Sequence, residues 1–511
     1  MTTKRLALTF FVLGLIAITA SGCGQQSIGA TRSPKVSDKQ ALVSLTRAVT
    51  HPFARVVLPQ NMPSSQVAKF FPSTWTHAYA NAQHNAAFQL PTMAPAWMKN
   101  GVSWAFPEAR AWPLSNPNAY GTNVYGARSA LPTITQFYGN ATGVTVVKGV
   151  VYAESDDNFA YAINAKTGQL IWRSSPVGNH LMGDPVVTGN IVYISAGSVG
   201  FNFSAVQKYA LHQPAIRGEH VSFNGIYALN AKTGELLWHY GTIGEAMATP
   251  VVKNGDIYFA TGSGHIHCIN ASTGKSIWNT FVGGIDNMSS LSVVNGHVYV
   301  SLSVPGWLYC LNAQTGQVSW KATEPGVVNT GMGDVSPAVA DHIVVMDAVA
   351  SPKVIAGQNT VNTVLFAVNA QDGHVLWSAK MGRGPLPPAF KGGVPMVHHH
   401  VIYVGSPVNS VYQAYNLSNG RRLWTWHVPN AGPAGAGRGA STYYQGTLYV
   451  STGPTIYALN PRTGQVLGHE TLGGRFGIVN PVIVGGTIYL GNSWDWVLAT
   501  PVARVNPHYH K

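Results

Sequence analysis

The sequence predicts an all-β fold, an eight-bladed β-propeller of four-stranded, Trp-docking blades that is closed by an N-terminal strand. Three observations predict it: a Trp-ended motif recurs along the chain, a hairpin signal precedes most copies, and the last unit lacks its outer strand. The composition agrees with a turn-rich β protein, because the 511 residues include 55 Gly, 31 Pro and 14 Trp, and only 10% of residues are charged.

The recurring motif is a strand, a tight turn and a second strand that ends in Trp. Its clearest copies are Tyr161-Ala-Ile-Asn-Ala-Lys-Thr-Gly-Gln-Leu-Ile-Trp172 and Tyr227-Ala-Leu-Asn-Ala-Lys-Thr-Gly-Glu-Leu-Leu-Trp238. Gly suits the turn because it adopts a positive φ without steric strain. The turn glycines of the seven copies stand at positions 168, 234, 274, 316, 373, 420 and 464. This spacing is close to the length of one propeller blade, with room for insertions.

A second hairpin signal stands ahead of most copies, as in Val147-Lys-Gly-Val-Val-Tyr152 and Val294-Asn-Gly-His-Val-Tyr299. Two hairpins per unit make the four strands of a blade. The last unit, Val482–Ala499, supplies only three strands, so we expect Gly101-Val-Ser-Trp-Ala-Phe106 to complete the eighth blade. A solenoid is the competing architecture, and it leaves this missing strand unexplained.

The N-terminus predicts export. Lys4 and Arg5 precede the apolar run Leu6–Ala20, which is typical of a signal peptide. Ala20-Ser-Gly-Cys23 resembles a bacterial lipobox with Cys23 as the lipidated residue, and ordinary cleavage is the alternative. We expect a signal peptide at 1–23, an N-terminal extension at 24–74, the propeller at 75–502 and a C-terminal tail at 503–511. The expected location is the periplasm, the outer membrane or the cell surface.

Charge and cysteine content narrow the function classes. The 31 Lys and Arg against 18 Asp and Glu give a formal charge of +13, which favours an anionic partner. No Lys/Arg-rich run is present, so a nucleic-acid partner is not expected. The low number of carboxylates also suits exposure to acid. Cys268 and Cys310 occupy similar places in two repeats and predict two buried thiols, with a single disulfide as the alternative.

Residues just before the inner strands are predicted to meet at one mouth of the central channel. Lys391, Arg438 and Arg475 come from three successive blades, and Arg383 precedes Lys391 in the same connection. Together these cations predict a site for a small anion, with solvated surface cations as the alternative. The triplet His398-His399-His400 starts a hairpin, in which neighbours alternate faces, so a metal site is not predicted.

An acidic residue is predicted at the same mouth. The Gly-rich loop Val327–Pro337 carries Asp334, and its small residues suit close approach to a ligand, although a capped turn explains them equally well. Asp184 and Asp286 precede other inner strands and remain rivals for the same role.

The units Asn/Asp-x-x-Thr-Gly-x-x-x-Trp resemble the propellers of the pyrroloquinoline-quinone (PQQ) type, and Trp75-Thr-His-Ala-Tyr-Ala-Asn-Ala-Gln-His84 is similar to the segment that opens them. The likeness covers about Trp75 to Val502. It implies a fold but leaves open a quinoprotein dehydrogenase, an outer-membrane assembly scaffold and a hydrolase. The dehydrogenases carry adjacent cysteines over the quinone, and this chain has no adjacent cysteines.

The combination of export signal, low charge, basic balance and Trp-ended blades resembles the tetrathionate hydrolases of acidophilic sulfur-oxidising bacteria. That resemblance implies hydrolysis of tetrathionate to thiosulfate, sulfur and sulfate at acidic pH, with no cofactor and no metal. It also implies a catalytic Asp in a mouth loop, and Asp334 is the matching position. A lipid anchor on Cys23 and a homodimer are further expectations. An assembly-type scaffold lipoprotein is the first alternative, and a PQQ-dependent dehydrogenase is the second.

Overall fold

The propeller prediction is confirmed by the computed structural model, in which the described residues form eight four-stranded antiparallel sheets. The structure describes residues 103–107, 143–154, 159–175, 177, 183–197, 216–217, 224–285, 289–328, 332, 335–385, 392–429, 439–453, 455–472, 480–492 and 496–509.

The first described strand, β1 (Trp104–Pro107), belongs to the last blade, and the next sixteen described strands build blades one to four. Blade one contains β2 (Val144–Val147), β3 (Val150–Glu154), β4 (Ala160–Asn164) and β5 (Leu170–Arg173). Blade two contains β6 (Val186–Thr188), β7 (Ile191–Ala196), β8 (Gly225–Asn230) and β9 (Leu236–Gly241). Blade three contains β10 (Val251–Lys253), β11 (Asp256–Ala260), β12 (His265–Asn270) and β13 (Ser276–Phe281). Blade four contains β14 (Ser292–Val294), β15 (His297–Ser301), β16 (Leu308–Asn312) and β17 (Val318–Ala322).

The remaining strands build blades five to eight. Blade five contains β18 (Ala338–Ala340), β19 (Ile343–Ile355), β20 (Gln358–Asn369) and β21 (Val375–Pro385). Blade six contains β22 (Met396–His398), β23 (Val401–Ser406), β24 (Val411–Asn416) and β25 (Arg422–His427). Blade seven contains β26 (Thr442–Tyr444), β27 (Thr447–Thr452), β28 (Thr455–Leu459) and β29 (Val466–Thr471). Blade eight contains β30 (Val482–Val484), β31 (Thr487–Asn492), β32 (Trp496–Pro501) and β1.

The blades form a closed ring. First strands of successive blades contact one another, as β2 contacts β6 and β26 contacts β30, and β2 of blade one contacts β30 of blade eight. The predicted closing strand is confirmed, because β1 pairs antiparallel with β32 from Trp104↔Ala499 to Pro107↔Trp496. The Tyr489 hydroxyl of blade eight donates to the Ala165 carbonyl of blade one across 3.2 Å. Blade eight is therefore completed by β1 and bonded to blade one, which closes the ring of described blades.

The motif residues play the local roles that their chemistry predicts. All seven turn glycines have φ between +67° and +75°. The motif Asn caps the turn: Asn312 Oδ1 accepts from the backbone N–H groups of Gln314 and Thr315, each at 2.9 Å. The Trp docks on the next blade, as where Trp172 Nε1 donates to the Ala231 carbonyl at 2.9 Å. Apolar cores accordingly lie between blades, each built from two adjacent sheets.

Two blades depart from the common plan. Strands β19, β20 and β21 are 13, 12 and 11 residues long, so blade five projects beyond its neighbours. Blade two has a long insertion between β7 and β8, of which only the ends and residues 216–217 are described. The described part of the predicted C-terminal tail packs on the ring: helix α1 (Val502–Val505) buries Val505 completely, and Tyr509 lies against the same core.

The prediction for the two repeat cysteines is also confirmed. Cys268 and Cys310 are both free and buried, in blades three and four. Burial raises the pKa of each thiol to about 12, so neither is a ready nucleophile. Within the described ranges, no helix has the length and apolar character that a membrane crossing needs.

Candidate active site

Strand direction divides the connections of the ring between two faces. Because each blade is antiparallel, its two tight turns lie on one face, which we call the turn face. The connection between its second and third strands lies on the opposite face, together with the loop into the next inner strand. We call that face the mouth face and the loops into the inner strands the mouth loops.

Mouth loops are fastened by one position that recurs in several blades, the fifth residue of the second strand. In each case its side chain bonds to the backbone three residues before the next inner strand. The observed pairs are Ser195 with the Ala248 carbonyl at 2.7 Å, Ser301 with the Val335 carbonyl at 2.7 Å, and Asp347 with the Gly393 N–H at 2.7 Å. The repeat therefore supplies an anchor for loops whose sequences differ.

The loop predicted to carry the catalytic acid is anchored at both ends. Met332 and Val335 are fully buried, and the hydroxyls of Ser289 and Ser301 both donate to the Val335 carbonyl. Further upstream, the Val328 N–H donates to the carbonyl of Val349 on the projecting part of β19, at 3.1 Å. In the sequence, residues 333 and 334 thus stand between the buried residues Met332 and Val335.

Most of the predicted site residues themselves fall outside the described part of the chain. These are Asp334, Asp286, Lys391, Arg438 and Arg475, and their roles stay predictions. Cys23 is outside it as well. In the sequence, Asp334 directly precedes Val335 and Lys391 directly precedes Gly392. The structure describes Val335 and Gly392.

Arg383 is described, and it contacts the projecting blade. From β21 its Nη1 donates to the Thr360 hydroxyl and its Nη2 to the Ser351 carbonyl, both at 2.9 Å. The guanidinium thus crosslinks three strands of blade five on the mouth side. These contacts give Arg383 a structural role, and the prediction that it binds substrate is left untested.

Asp184 is also described, and it packs against blade one. A Cβ on Gly143 would lie 1.4 Å from Asp184 Oδ1, so this carboxyl occupies the space that the glycine leaves. The Asp184 backbone N–H donates to the Thr249 hydroxyl of the next mouth loop at 2.7 Å. Asp184 therefore contacts the loops that lead into blades one and three, and its role as a rival catalytic acid stays a prediction.

A buried ion pair holds the insertion of blade two against the mouth. Arg217 and Glu245 form a salt bridge and are only 4% and 1% exposed. The backbone joins them too: Arg217 N–H donates to the Gly262 carbonyl at 2.8 Å, and Glu245 N–H donates to the Arg217 carbonyl at 3.0 Å. Breaking such a pair leaves an uncompensated buried charge. Residues 216–217 of the insertion are therefore held on this side of the mouth.

Sequence reasoning missed Asp347. It is fully buried, and burial raises the pKa of its carboxyl well above the ordinary value of 3.8, while the N–H groups of Gly393 and Ala348 offset part of that rise. The available signal was an Asp inside the apolar run Ile343-Val-Val-Met-Asp347, since such residues are rarely buried without a partner.

No group of three His, Cys, Asp or Glu residues in the described ranges is arranged to hold a metal ion. The triplet that ends β22 lies on the turn face, where His400 Nδ1 stands 2.6 Å from Asp341 Oδ2 of the preceding blade.

Comparison with known proteins agrees with the fold. The family model described as outer membrane protein assembly factor BamB matches residues 109–284, 222–385 and 348–508. Among solved structures, that of BamB from Moraxella catarrhalis matches with a TM-score of 0.52 and 15% identity, covering 72% of this chain and 95% of that one. At this identity the likeness concerns the fold alone.

Two relatives match over nearly the whole length. The tetrathionate hydrolase of Acidithiobacillus ferrooxidans is 56% identical over 91% of this chain and 93% of its own length. The tetrathionate hydrolase of Acidianus ambivalens is 36% identical over 90% of this chain and 89% of its own. Built on the repeat that the assembly-factor model describes, the chain belongs to the tetrathionate hydrolase family.

Proposed function

We propose that this protein hydrolyses tetrathionate to thiosulfate, sulfur and sulfate at acidic pH without an added cofactor. The observation that carries the proposal is the 56% identity to the Acidithiobacillus ferrooxidans enzyme over 91% of this chain. A basic chain, with a formal charge of +13, also suits a dianionic substrate.

The proposed reaction balances without a redox partner. One tetrathionate and one water give one thiosulfate, one sulfur atom, one sulfate and two protons. The water oxygen forms a bond to sulfur, a sulfur–sulfur bond breaks with its electron pair on the leaving fragment, and water loses its protons. The protein must therefore hold a dianion, place a water beside it and accept or donate a proton.

Asp334 and the cations Lys391, Arg438 and Arg475 are the proposed carriers of these tasks. A carboxyl with an ordinary pKa of about 3.9 exchanges protons in acid, where His is already charged. Guanidinium and ammonium groups bind sulfonate oxygens by charge-assisted hydrogen bonds. The burial of Met332 and Val335, which flank this position in the sequence, supports this assignment.

We also propose that the protein is exported and attached through a lipid on Cys23. Ser103, next to β1, donates its N–H to the Ala499 carbonyl near the turn-face end of blade eight. The described chain thus enters the ring at Ser103, on the turn face. A lipid anchor on that side would leave the mouth face open to substrate. Mass spectrometry of the mature N-terminus tests the lipid, and light scattering tests the expected homodimer.

The alternatives differ in what they require. A PQQ-dependent dehydrogenase needs a cysteine pair over the quinone, whereas Cys268 and Cys310 lie in separate blades and are buried. An assembly scaffold needs no turnover. Purified protein incubated with tetrathionate at about pH 3, without quinone or calcium, should release thiosulfate. Failure under these conditions, with dye reduction on adding PQQ, calcium and an alcohol, would favour the dehydrogenase.

A further inference from the structure

Asp347 lies where the bases of two mouth loops meet. It is the fifth residue of β19 and has no exposed surface. Its Oδ2 accepts from the Gly393 N–H at 2.7 Å. A Cβ on Gly392 would lie 3.0 Å from the same oxygen and 3.2 Å from Cγ2 of Val335. The carboxyl therefore touches the loop into blade six and lies beside the end of the loop into blade five.

These two loops carry the residues proposed for the reaction. Lys391 directly precedes Gly392, and Asp334 directly precedes Val335. A shift of Asp347 would consequently move the base of the substrate-binding loop relative to that of the acid-bearing loop.

The surroundings of Asp347 favour its neutral form. Among the described residues no cation pairs with it, and its Oδ1 has no hydrogen-bond partner. The titratable group that interacts with it is Tyr415, whose own pKa burial also raises, so that neighbour is neutral too. Ionising a carboxyl in such a place leaves an unpaired charge in a low-dielectric interior.

We propose that neutral Asp347 is a positioning residue for hydrolysis, fixing the loop of Lys391 against the loop of Asp334, and that its ionisation as pH rises disables the site. This inference rests on the proposed function. Asp347 acts through the two loops, and nothing requires it to touch the substrate.

The other blades show why an acidic residue matters here. Ser195 and Ser301 occupy the same position in blades two and four and donate to a carbonyl. In blade five the loop instead presents an N–H, so the side chain must supply an acceptor. An Asn would supply that acceptor without titrating. The Asp adds a dependence on pH that the serine anchors lack.

The test compares Asp347→Asn and Asp347→Ala with wild type, measuring kcat and KM for tetrathionate across pH, with unfolding temperatures recorded for each. Asp347→Ala should lower kcat/KM by about 10-fold or more in acid. Asp347→Asn should recover most of that loss and carry activity to higher pH than wild type. Ser195→Ala removes the same anchor in blade two and should leave the pH profile of wild type in place.

An Asp347→Asn profile that falls at the same pH as wild type overturns the inference, as does full turnover by a folded Asp347→Ala protein. If Asp347→Ala fails to fold, the pH profile of Asp347→Asn still decides. Failure of the proposed function gives a different result, because wild type itself would then leave tetrathionate intact.

Discussion

Trp320 of blade four packs its indole against Gly373 in the turn of blade five, so closely that a Cβ on Gly373 would lie 2.5 Å from Trp320 Cε3. Trp320 Nε1 also donates to the Ala370 carbonyl of that blade at 3.1 Å. The same contact recurs from blade to blade, as between Trp424 and Gly464. It is the repeated unit that joins neighbouring sheets, and the mouth loops depend on the ring that it builds.

The contact between Trp320 and Gly373 predicts that Gly373→Ala lowers the free energy of unfolding. The loss should exceed the cost of placing an alanine at positive φ. Gly373 has φ +75°, and the matched control Gly357 has φ +77° with no atom within 4 Å of the position that an added Cβ would take. The control should lose about 1 kcal/mol, because its added Cβ is unfavourable at positive φ. Gly373→Ala should lose roughly 2 kcal/mol more, because the indole must move. Thermal unfolding measures both, and equal losses would show that the Trp contact contributes nothing.

Asp334→Asn should lower kcat by about 10²-fold or more while tetrathionate still binds, because the amide cannot exchange a proton. Steady-state kinetics with the folded variant measure this. Asp184→Asn and Asp286→Asn serve as comparisons at the rival positions. Near-normal turnover in Asp334→Asn, with loss in one of the others, would move the catalytic role to that residue.

Arg438→Ala should raise KM for tetrathionate by about 10-fold or more with a smaller effect on kcat, since the lost interaction is one of binding. Added salt should weaken substrate binding to wild type more than to the variant, because screening acts on the charge that the variant lacks. Arg383→Ala serves as a comparison, because Arg383 also bonds to two other strands of blade five. An unchanged KM in Arg438→Ala would remove this residue from the anion site.

His267 should weaken the fold in acid. It is 5% exposed, stacks on Phe259 with ring centroids 4.8 Å apart, and burial together with His265 lowers its pKa from 6.5 to about 3. Its folded form binds a proton less readily than its unfolded form. The stability that it contributes above pH 6.5 is thus lost as pH falls toward about 3, a loss on the order of 4 kcal/mol.

His267→Gln removes this titration, so the variant should lose less stability than wild type between neutral pH and about pH 3. Unfolding temperatures of both proteins across that range provide the measurement. Parallel curves for the two proteins would mean that His267 does not titrate in the way its burial implies.

The sequence was sufficient for the fold because its signals are local. The turn glycine and the Asn cap lie within one motif, and the missing outer strand of the last unit identified Trp104 and its neighbours as the closing strand. The site was harder to predict. Asp347 meets Gly393 across 46 residues. Arg217, which bonds to Glu245, lies in an insertion without repeat character. Such pairs form only when the blades pack together, so the repeat pattern of the sequence does not predict them.

Incubation with tetrathionate in water enriched in ¹⁸O, with no quinone, calcium or dye added, directly tests whether this protein hydrolyses tetrathionate without a redox cofactor. Thiosulfate and sulfate are quantified at about pH 3, and the sulfate is weighed by mass spectrometry. We expect equal amounts of the two products and one water-derived oxygen in each sulfate, because water supplies the oxygen that tetrathionate lacks. Tetrathionate that stays intact, or that is consumed only with a redox cofactor, would contradict it.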